Sequence, residues 1–316
     1  MMPSDEAGAR ALADRYWDEF LALEPIVATQ IGDERFDDCL RDPSAEGLAR
    51  REAVHRSALH DLATIDREHL DMEGRTALAV VEALATNGLT AIKHRFDRFD
   101  AADHMWGPGT LLARLGSLQQ ADSPERLDRY VTRLAAVPAF LAATIDILAD
   151  ARGSMQTSPR LVVDRTIAQV VRLLEIVPER SPALSPVPET DGDGRQLIAD
   201  TIRDVVYPAY ETYLEALREY RPHAHESLGL TALPRGEEMY AAKIQTLTTL
   251  TLSAESIHQR GVEDLATIQA ERREIASRLG ASNPQTAIAS YTESGRNSFA
   301  SREAIVELAR DQVRRG

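Results

Sequence analysis

The sequence predicts an all-α protein, an elongated multi-helix bundle, on three observations. Apolar residues recur at steps of three and four along most of the chain, the spacing that puts them on one face of a helix. The aromatic share is 5%, low for sandwiches and barrels but sufficient for bundles packed with Leu, Ile, Val and Ala. No stretch alternates apolar and polar residues clearly enough for a sheet. With 316 residues, 43% of them hydrophobic, there is ample material for a core.

In chain order, helices are expected over about Asp5–Leu23, Ser44–Thr64 and Met72–Arg95, separated by Pro, Gly or Asp. Asp103-His-Met-Trp-Gly-Pro-Gly109 marks a loop between Phe96 and Thr110. Ser123 is a good N-cap, Pro124 suits the first helical position, and Glu125 favours the first turn. Leu127, Tyr130, Leu134, Val137, Leu141, Ile145 and Leu148 then form one stripe, ended by Gly153 and kinked by Pro138. Ser158 and Pro159 open another helix through Val163, Ile167, Val170 and Leu174, stopped by Pro178. Pro178–Gly194, rich in Pro, Ser, Gly and Asp, reads as a linker. Gln196–Tyr220 forms a long helix that Pro208 kinks. Pro222–Gly236 connects to a helix carrying Tyr240, Ile244 and Leu247, broken by the Thr-rich run Thr246–Thr251. Ser253 caps a helix whose face holds Ile257, Gly261, Leu265, Ile268 and Ile275 and which Gly280 closes. A last helix starts near Ser301. The expected organisation is a bundle over 1–178, a linker-like loop over 179–195, and a second helical segment over 196–316 packed on the first, with one continuous domain as the other arrangement.

A net charge of -14 repels phosphate backbones and anionic lipid, and no basic stripe with interleaved aromatics offsets it, which argues against nucleic acid and membrane surfaces as partners. No apolar run approaches the length of a membrane span. Cys39 is the single cysteine, so an intrachain disulfide is excluded, and Asp37 and Asp38 beside it would raise its pKa rather than activate it. Met1–Arg15 lacks the basic-then-apolar pattern of a signal peptide. A cytoplasmic location is the expectation.

The residues hold no complete catalytic or metal site that spacing can reveal. None of the eight histidines stands in His-Glu-x-x-His, which would set two imidazoles on one helix face around zinc. His223 and His225, with Glu226, are the nearest thing to a ligand cluster and read better as surface residues. Gly192 and Gly194 sit among acids that would repel phosphate, and no Gly-x-Ser-x-Gly elbow exists. Adjacent acidic pairs such as Asp37/Asp38 and Glu237/Glu238 point in different directions.

Three stretches do more than fit a helix template. The first runs from Phe20 through Glu24-Pro-Ile-Val-Ala-Thr-Gln-Ile-Gly-Asp-Glu-Arg-Phe-Asp-Asp38, then Leu40 and Asp42-Pro-Ser44. The second is Val206-Tyr-Pro-Ala-Tyr210, Leu214, Tyr220-Arg-Pro222 and Gly229-Leu230. The third is Leu233-Pro-Arg-Gly236, Tyr240, Thr248-Thr249, Leu252-Ser253 and Ile257-His-Gln-Arg-Gly261. In order and spacing, from about Tyr16 to Gly280, they resemble the N-terminal half of the bacterial family known as domain of unknown function 885.

The resemblance implies a helical fold akin to zinc peptidases of the carboxypeptidase Taq and oligopeptidase type. Such proteins carry a His-Glu-x-x-x-Gly-His-His-like zinc segment and a later Glu-Gly-Trp segment in their second half. Neither occurs before Gly316, so no zinc ligand carries over and the metal is expected only with a missing C-terminal half. The chain is then a fragment, one piece of a split gene, or a stand-alone homologue. The implied role is a non-catalytic portion forming one wall of a groove for a peptide-like substrate, with a C-terminal catalytic half or a second copy as partner. Tyr240, Arg235 and His258 are the residues the analogy offers to substrate, although Tyr240 also suits a core face with Ile244. A helical binding or scaffold protein without catalysis is the alternative.

Overall fold

A computed structural model describes residues 3–296 and 298–315. The described residues form helices joined by turns and loops, and no strand forms among them; a lone bridge pairs Pro159 with His225. Contacts divide it into two units, Met1–Leu250 and Thr251–Gly316.

The first unit contains α1 (Pro3–Leu23), α2 (Pro25–Gln30), α3 (Ala45–Leu62), α4 (Met72–His94), α5 (Asp97–Asp100), α6 (Leu111–Leu118), α7 (Pro124–Ala135), α8 (Val137–Ser154), α9 (Arg160–Leu174), α10 (Gly192–Thr201), α11 (Tyr207–Tyr220) and α12 (Gly236–Thr248). Several helices start where a short polar side chain satisfies a free backbone N–H. Ser44 accepts from Gly47 N at 3.1 Å, Asp71 from Gly74 N at 2.7 Å, and Ser123 from Arg126 N at 3.3 Å. Ser158 is not such a cap: it is buried, its own N–H donates to Tyr220 Oη at 2.7 Å, and Pro159 occupies the cap position of α9.

The prolines act as sequence reasoning requires, in altered form. Pro138 falls in the first turn of α8, so the expected kink is a break between α7 and α8. Pro208 cannot donate to the carbonyl four residues back, and the backbone opens into a π turn over Ile202–Val206 just before α11. Pro124–Ser154 is long and apolar enough to cross a membrane by length and composition, which corrects the expectation that no run approaches that length. Its apolar residues are used in packing: Tyr130, Leu134, Val137, Leu141, Leu148 and Ala151 are buried.

Two cores form in the first unit. A small one joins α1, α3 and α4 through Leu12, Tyr16, Ala58, Leu62, Leu78 and Val81. There the Tyr16 hydroxyl bonds His55 Nδ1 at 3.2 Å, and Gly88 passes so close that a Cβ would lie 2.2 Å from the His55 ring. The larger core gathers α6 to α11 around Leu112, Leu115, Tyr130, Val163, Ile198 and Tyr213. Pro178–Gly194 belongs to it rather than to a linker. It forms two short 3₁₀ turns, Pro178–Arg180 and Pro182–Leu184; the second buries Ala183 and Leu184, Val187 beyond it is buried too, and the Ala183 carbonyl accepts from Tyr130 Oη at 2.9 Å. Proline and serine here serve tight turns, so contacts thin out near Leu250 and not over 179–195.

One polar group lies inside this packing. Arg133 of α7 has a side chain 0% exposed. Its guanidinium donates to Thr29 Oγ1 at 2.9 Å, to Gln119 Oε1 at 2.8 Å and to the Phe36 carbonyl at 2.5 Å, with Asp37 Oδ1 3.6 Å away. Thr29 in turn donates to Asp37 at 2.5 Å, and Gln119 donates to the Asp37 carbonyl at 2.9 Å. Arg126 and Arg129, on the same face of α7, bind Glu34 at 2.6 Å and its carbonyl at 3.1 Å. Together they fasten residues 29–37 to α7.

The second unit contains α13 (Ala254–Arg278), α14 (Pro284–Glu293) and α15 (Arg302–Arg315). Ser253 caps α13 through Ser256 N at 3.0 Å, and Gly280, at φ +73°, closes it.

Replacing Arg133 with Met keeps its bulk but leaves the buried Asp37 carboxylate without the positive charge beside it and the Phe36 carbonyl with Cys39 N as its remaining donor. A loss of about 3–5 kcal/mol is expected in urea unfolding, partly recovered in the R133M/D37N double variant. A single-variant loss below about 1 kcal/mol would contradict the structural role of the network.

Candidate functional site

A cavity of about 360 Å³ opens in the first unit. Its walls come from the start of α2 (Glu24, Ile26, Val27), the turn before α3 (Arg41, Pro43), α5 and its end (Asp97, Asp100, Ala101), the loop Trp106–Pro108, α6 (Leu111, Arg114) and α8 (Phe140, Thr144, Ile147). Apolar walls carrying a few charged groups are the usual make-up of a small-molecule site.

Each wall has a local cause. Glu24 ends α1 and precedes Pro25 in the first turn of α2, so the chain turns there and Glu24 meets Arg41 at 3.6 Å. Arg95 adopts a left-handed conformation at φ +52°, ending α4. Its guanidinium grips Asp97 at 2.9 Å, and with Arg98 it also holds Asp150 of α8 at 2.9 Å, which fixes α5 against α8. Asp103 accepts from Met105 N at 2.5 Å and so shapes the turn that presents Trp106, 69% exposed. Gly107 is required there, because a Cβ would lie 2.2 Å from the Asp103 carbonyl oxygen.

Buried tyrosines of α11 clamp this loop from behind. Tyr213 Oη donates to the Ala101 carbonyl at 2.6 Å and Tyr210 Oη to the Pro108 carbonyl at 2.7 Å. Burial pushes both phenols well above their ordinary range, so they act as neutral donors.

The charged groups are unequally matched. Asp97 and Glu24 have arginine partners, as above. Asp100 opens onto the cavity yet is ringed by protein, and this partial removal from water raises its carboxyl above the usual carboxylate range; Arg41 and Lys243 oppose the shift, Asp103 and Asp97 reinforce it. Arg114 is half-buried, with its guanidinium 6.0 Å from the Trp106 ring centroid, and desolvation lowers its pKa against the pull of Glu24.

Tyr240, Arg235 and His258 do not line this cavity. Arg235, left-handed at φ +58°, precedes α12 and pairs with Glu238 at 2.7 Å, while Tyr240 is 45% exposed one turn on. Ile244 is buried as a core face demands, but Leu247 is exposed. His258 is an exposed residue of α13, in the second unit. His223 and His225 flank a turn, and among the described residues no group of three or more His, Cys, Asp or Glu could hold a metal ion.

Fold and cavity define a helical protein, without strands among the described residues, whose first unit presents a pocket with apolar walls and both signs of charge. The chain belongs to the family described as bacterial protein of unknown function (DUF885), whose model matches residues 25–315. It is similar to "the putative lipoprotein from Colwellia psychrerythraea", with a TM-score of 0.79 at 17% identity over 96% of this chain and 57% of that one. It is also similar to "a putative lipoprotein of unknown function from Shewanella oneidensis", with a TM-score of 0.65 at 16% identity over 97% of this chain and 56% of that one. At these identities the likeness is one of fold, and the chain spans little more than half the length of either structure. No curated protein matches it significantly.

Asp100→Asn removes a charge that its surroundings disfavour, so the variant is expected to melt higher than the parent at pH 7. The sign follows from linkage. A carboxyl whose folded pKa is raised destabilises when ionised: the penalty is full above the folded pKa and vanishes below the unfolded value of about 3.9. Thermal melts from pH 7 downward should show the advantage shrinking as pH falls. An advantage independent of pH, or a loss at pH 7, would contradict this assignment.

Proposed function

We propose that this chain is the non-catalytic portion of a zinc-dependent, peptidase-like hydrolase, contributing one wall of the groove that receives a peptide-like substrate. A separate catalytic portion would hold the zinc. The described residues offer no fitting ligand set for that metal, so no chemical step is assigned to it here. What supports a further portion is that this chain spans 57% of the structure from Colwellia psychrerythraea that it resembles in fold.

The observation that carries it is the composition of the second unit. Among its described residues Ala276 alone is buried, while Ile257, Leu265, Ile268, Ile305, Val306 and Val313 are exposed. Three helices that bury one alanine gain too little from burial to offset the entropy of ordering about 66 residues at roughly 1–2 kcal/mol each. Exposed apolar rows of this size favour a covering partner. The partner we assign is the portion of the family's polypeptide outside the matched length, with a second copy of the chain as the competing outcome.

A second reading has its own support. The cavity is built from residues 24–147 alone, so a helical binding protein without catalysis could use it unaided.

The purified chain is expected to contain no stoichiometric zinc and to cleave no peptide; one tightly held zinc per chain would overturn the proposal. Amides of α13–α15 should exchange with solvent much faster than those of α7 and α8, and equal protection would favour the binding-protein reading. The relatives' names favour the cell envelope over the cytoplasm expected from the sequence, and we propose that location for this chain. Fractionation that recovers the native protein only in the cytosol would contradict it.

A further inference from the structure

Arg114 is a charged group of the cavity that has no ion-pair partner among the described residues. Among the described residues no carboxylate lies within 4.0 Å of its guanidinium, and its side chain makes no hydrogen bond. The opposite charge that acts on it, Glu24, is engaged by Arg41 at 3.6 Å. A guanidinium presents five donors in a planar fork, and this one, half-buried at the cavity wall, offers them toward the cavity without an acceptor among the described residues. Burial lowers its pKa, with Glu24 opposing the shift. On another wall Asp100 also lacks an ion-pair partner among the described residues, and Leu111, Phe140 and Ile147 supply apolar surface.

We propose that this cavity binds a carboxylate carried on a small apolar body that also bears an N–H donor. Arg114 takes the carboxylate through its fork, Trp106 and Phe140 cover the apolar body, and Asp100 accepts from the donor. Arg114 is thus a specificity-determining residue. A dianionic phosphate is disfavoured, because Glu24, Asp97 and Asp100 share the same walls. The volume of about 360 Å³ lies at the small end of ligand sites, roughly 300–1,000 Å³, which suits a group the size of one acylated amino acid. The inference stands on the cavity alone, whichever of the two readings of function holds.

The sequence has two tryptophans, Trp17 and Trp106, so the Trp17→Phe chain leaves Trp106 as its only indole reporter. Its fluorescence is followed while N-acetyl-L-leucine, the neutral N-acetyl-L-leucinamide, 4-methylpentanoate and inorganic phosphate are titrated separately. Saturable binding of N-acetyl-L-leucine is expected, with the amide and phosphate roughly tenfold or more weaker and 4-methylpentanoate between them. Arg114→Met should abolish the preference for acid over amide, and Arg114→Lys should keep part of it, with circular dichroism confirming that both remain folded. Equal binding of acid and amide, tighter binding of phosphate, a preference retained in Arg114→Met, 4-methylpentanoate matching N-acetyl-L-leucine, or no saturable response to any probe would overturn the proposal. None of these outcomes depends on zinc or peptide cleavage, so the two proposals fail separately.

Discussion

The first unit depends on one buried guanidinium. Arg133 lies where α7 meets the end of α2 and the stretch after it, residues 31–37, whose own backbone bonding is limited to the closing turn of α2 and a single 3₁₀ turn. Burying a charge is expensive unless nearly every donor finds an acceptor. Here a threonine, a glutamine amide and a backbone carbonyl accept from it and a carboxylate lies 3.6 Å away, while Nε has no acceptor among the described residues. The geometry is demanding because Thr29, Phe36–Asp37 and Gln119 must converge on one side chain. That convergence sets the position of α2, and with it Glu24, Ile26 and Val27 in the cavity wall.

A second tier works the same way on the opposite wall. The tyrosines of α11 reach through the large core to hold carbonyls at 101 and 108, so Trp106 is presented from a braced loop and Arg114 from the helix that follows it. In both tiers buried polar side chains position irregular backbone, and the apolar core supplies the dry surroundings that make those bonds strong. A preformed cavity with one paired and one unpaired arginine follows from this bracing.

The helices were legible because their signals are local. Ser123-Pro-Glu and Gly280 each fix a helix end and the structure uses them as read, while the Leu127–Leu148 stripe keeps its buried face but is divided between α7 and α8. Where reading failed, distant partners decided. Pro178–Gly194 has the composition of a linker, yet Tyr130 and α6 give its turns a place in the core. Ser158 has the form of a cap, but Tyr220 claims its N–H. The cavity was less legible still, since its residues come from six segments between Glu24 and Ile147 and none forms a spacing motif on one helix. Two faint signals existed: the Trp-Gly-Pro-Gly loop, and arginines 126, 129 and 133 aligned on the polar side of a strongly amphipathic helix. Tyr240, Arg235 and His258 came from analogy with a longer family, and the cavity owes nothing to them.

The claim that a buried polar network holds the cavity wall is tested most directly by hydrogen exchange on the parent chain and on Arg133→Met, well below their melting temperatures. The account predicts a selective loss of protection across residues 25–40 and the adjoining end of α6, with amides of α3 and α4 unchanged. Uniform loss throughout the first unit, or unchanged protection at 25–40, would contradict it.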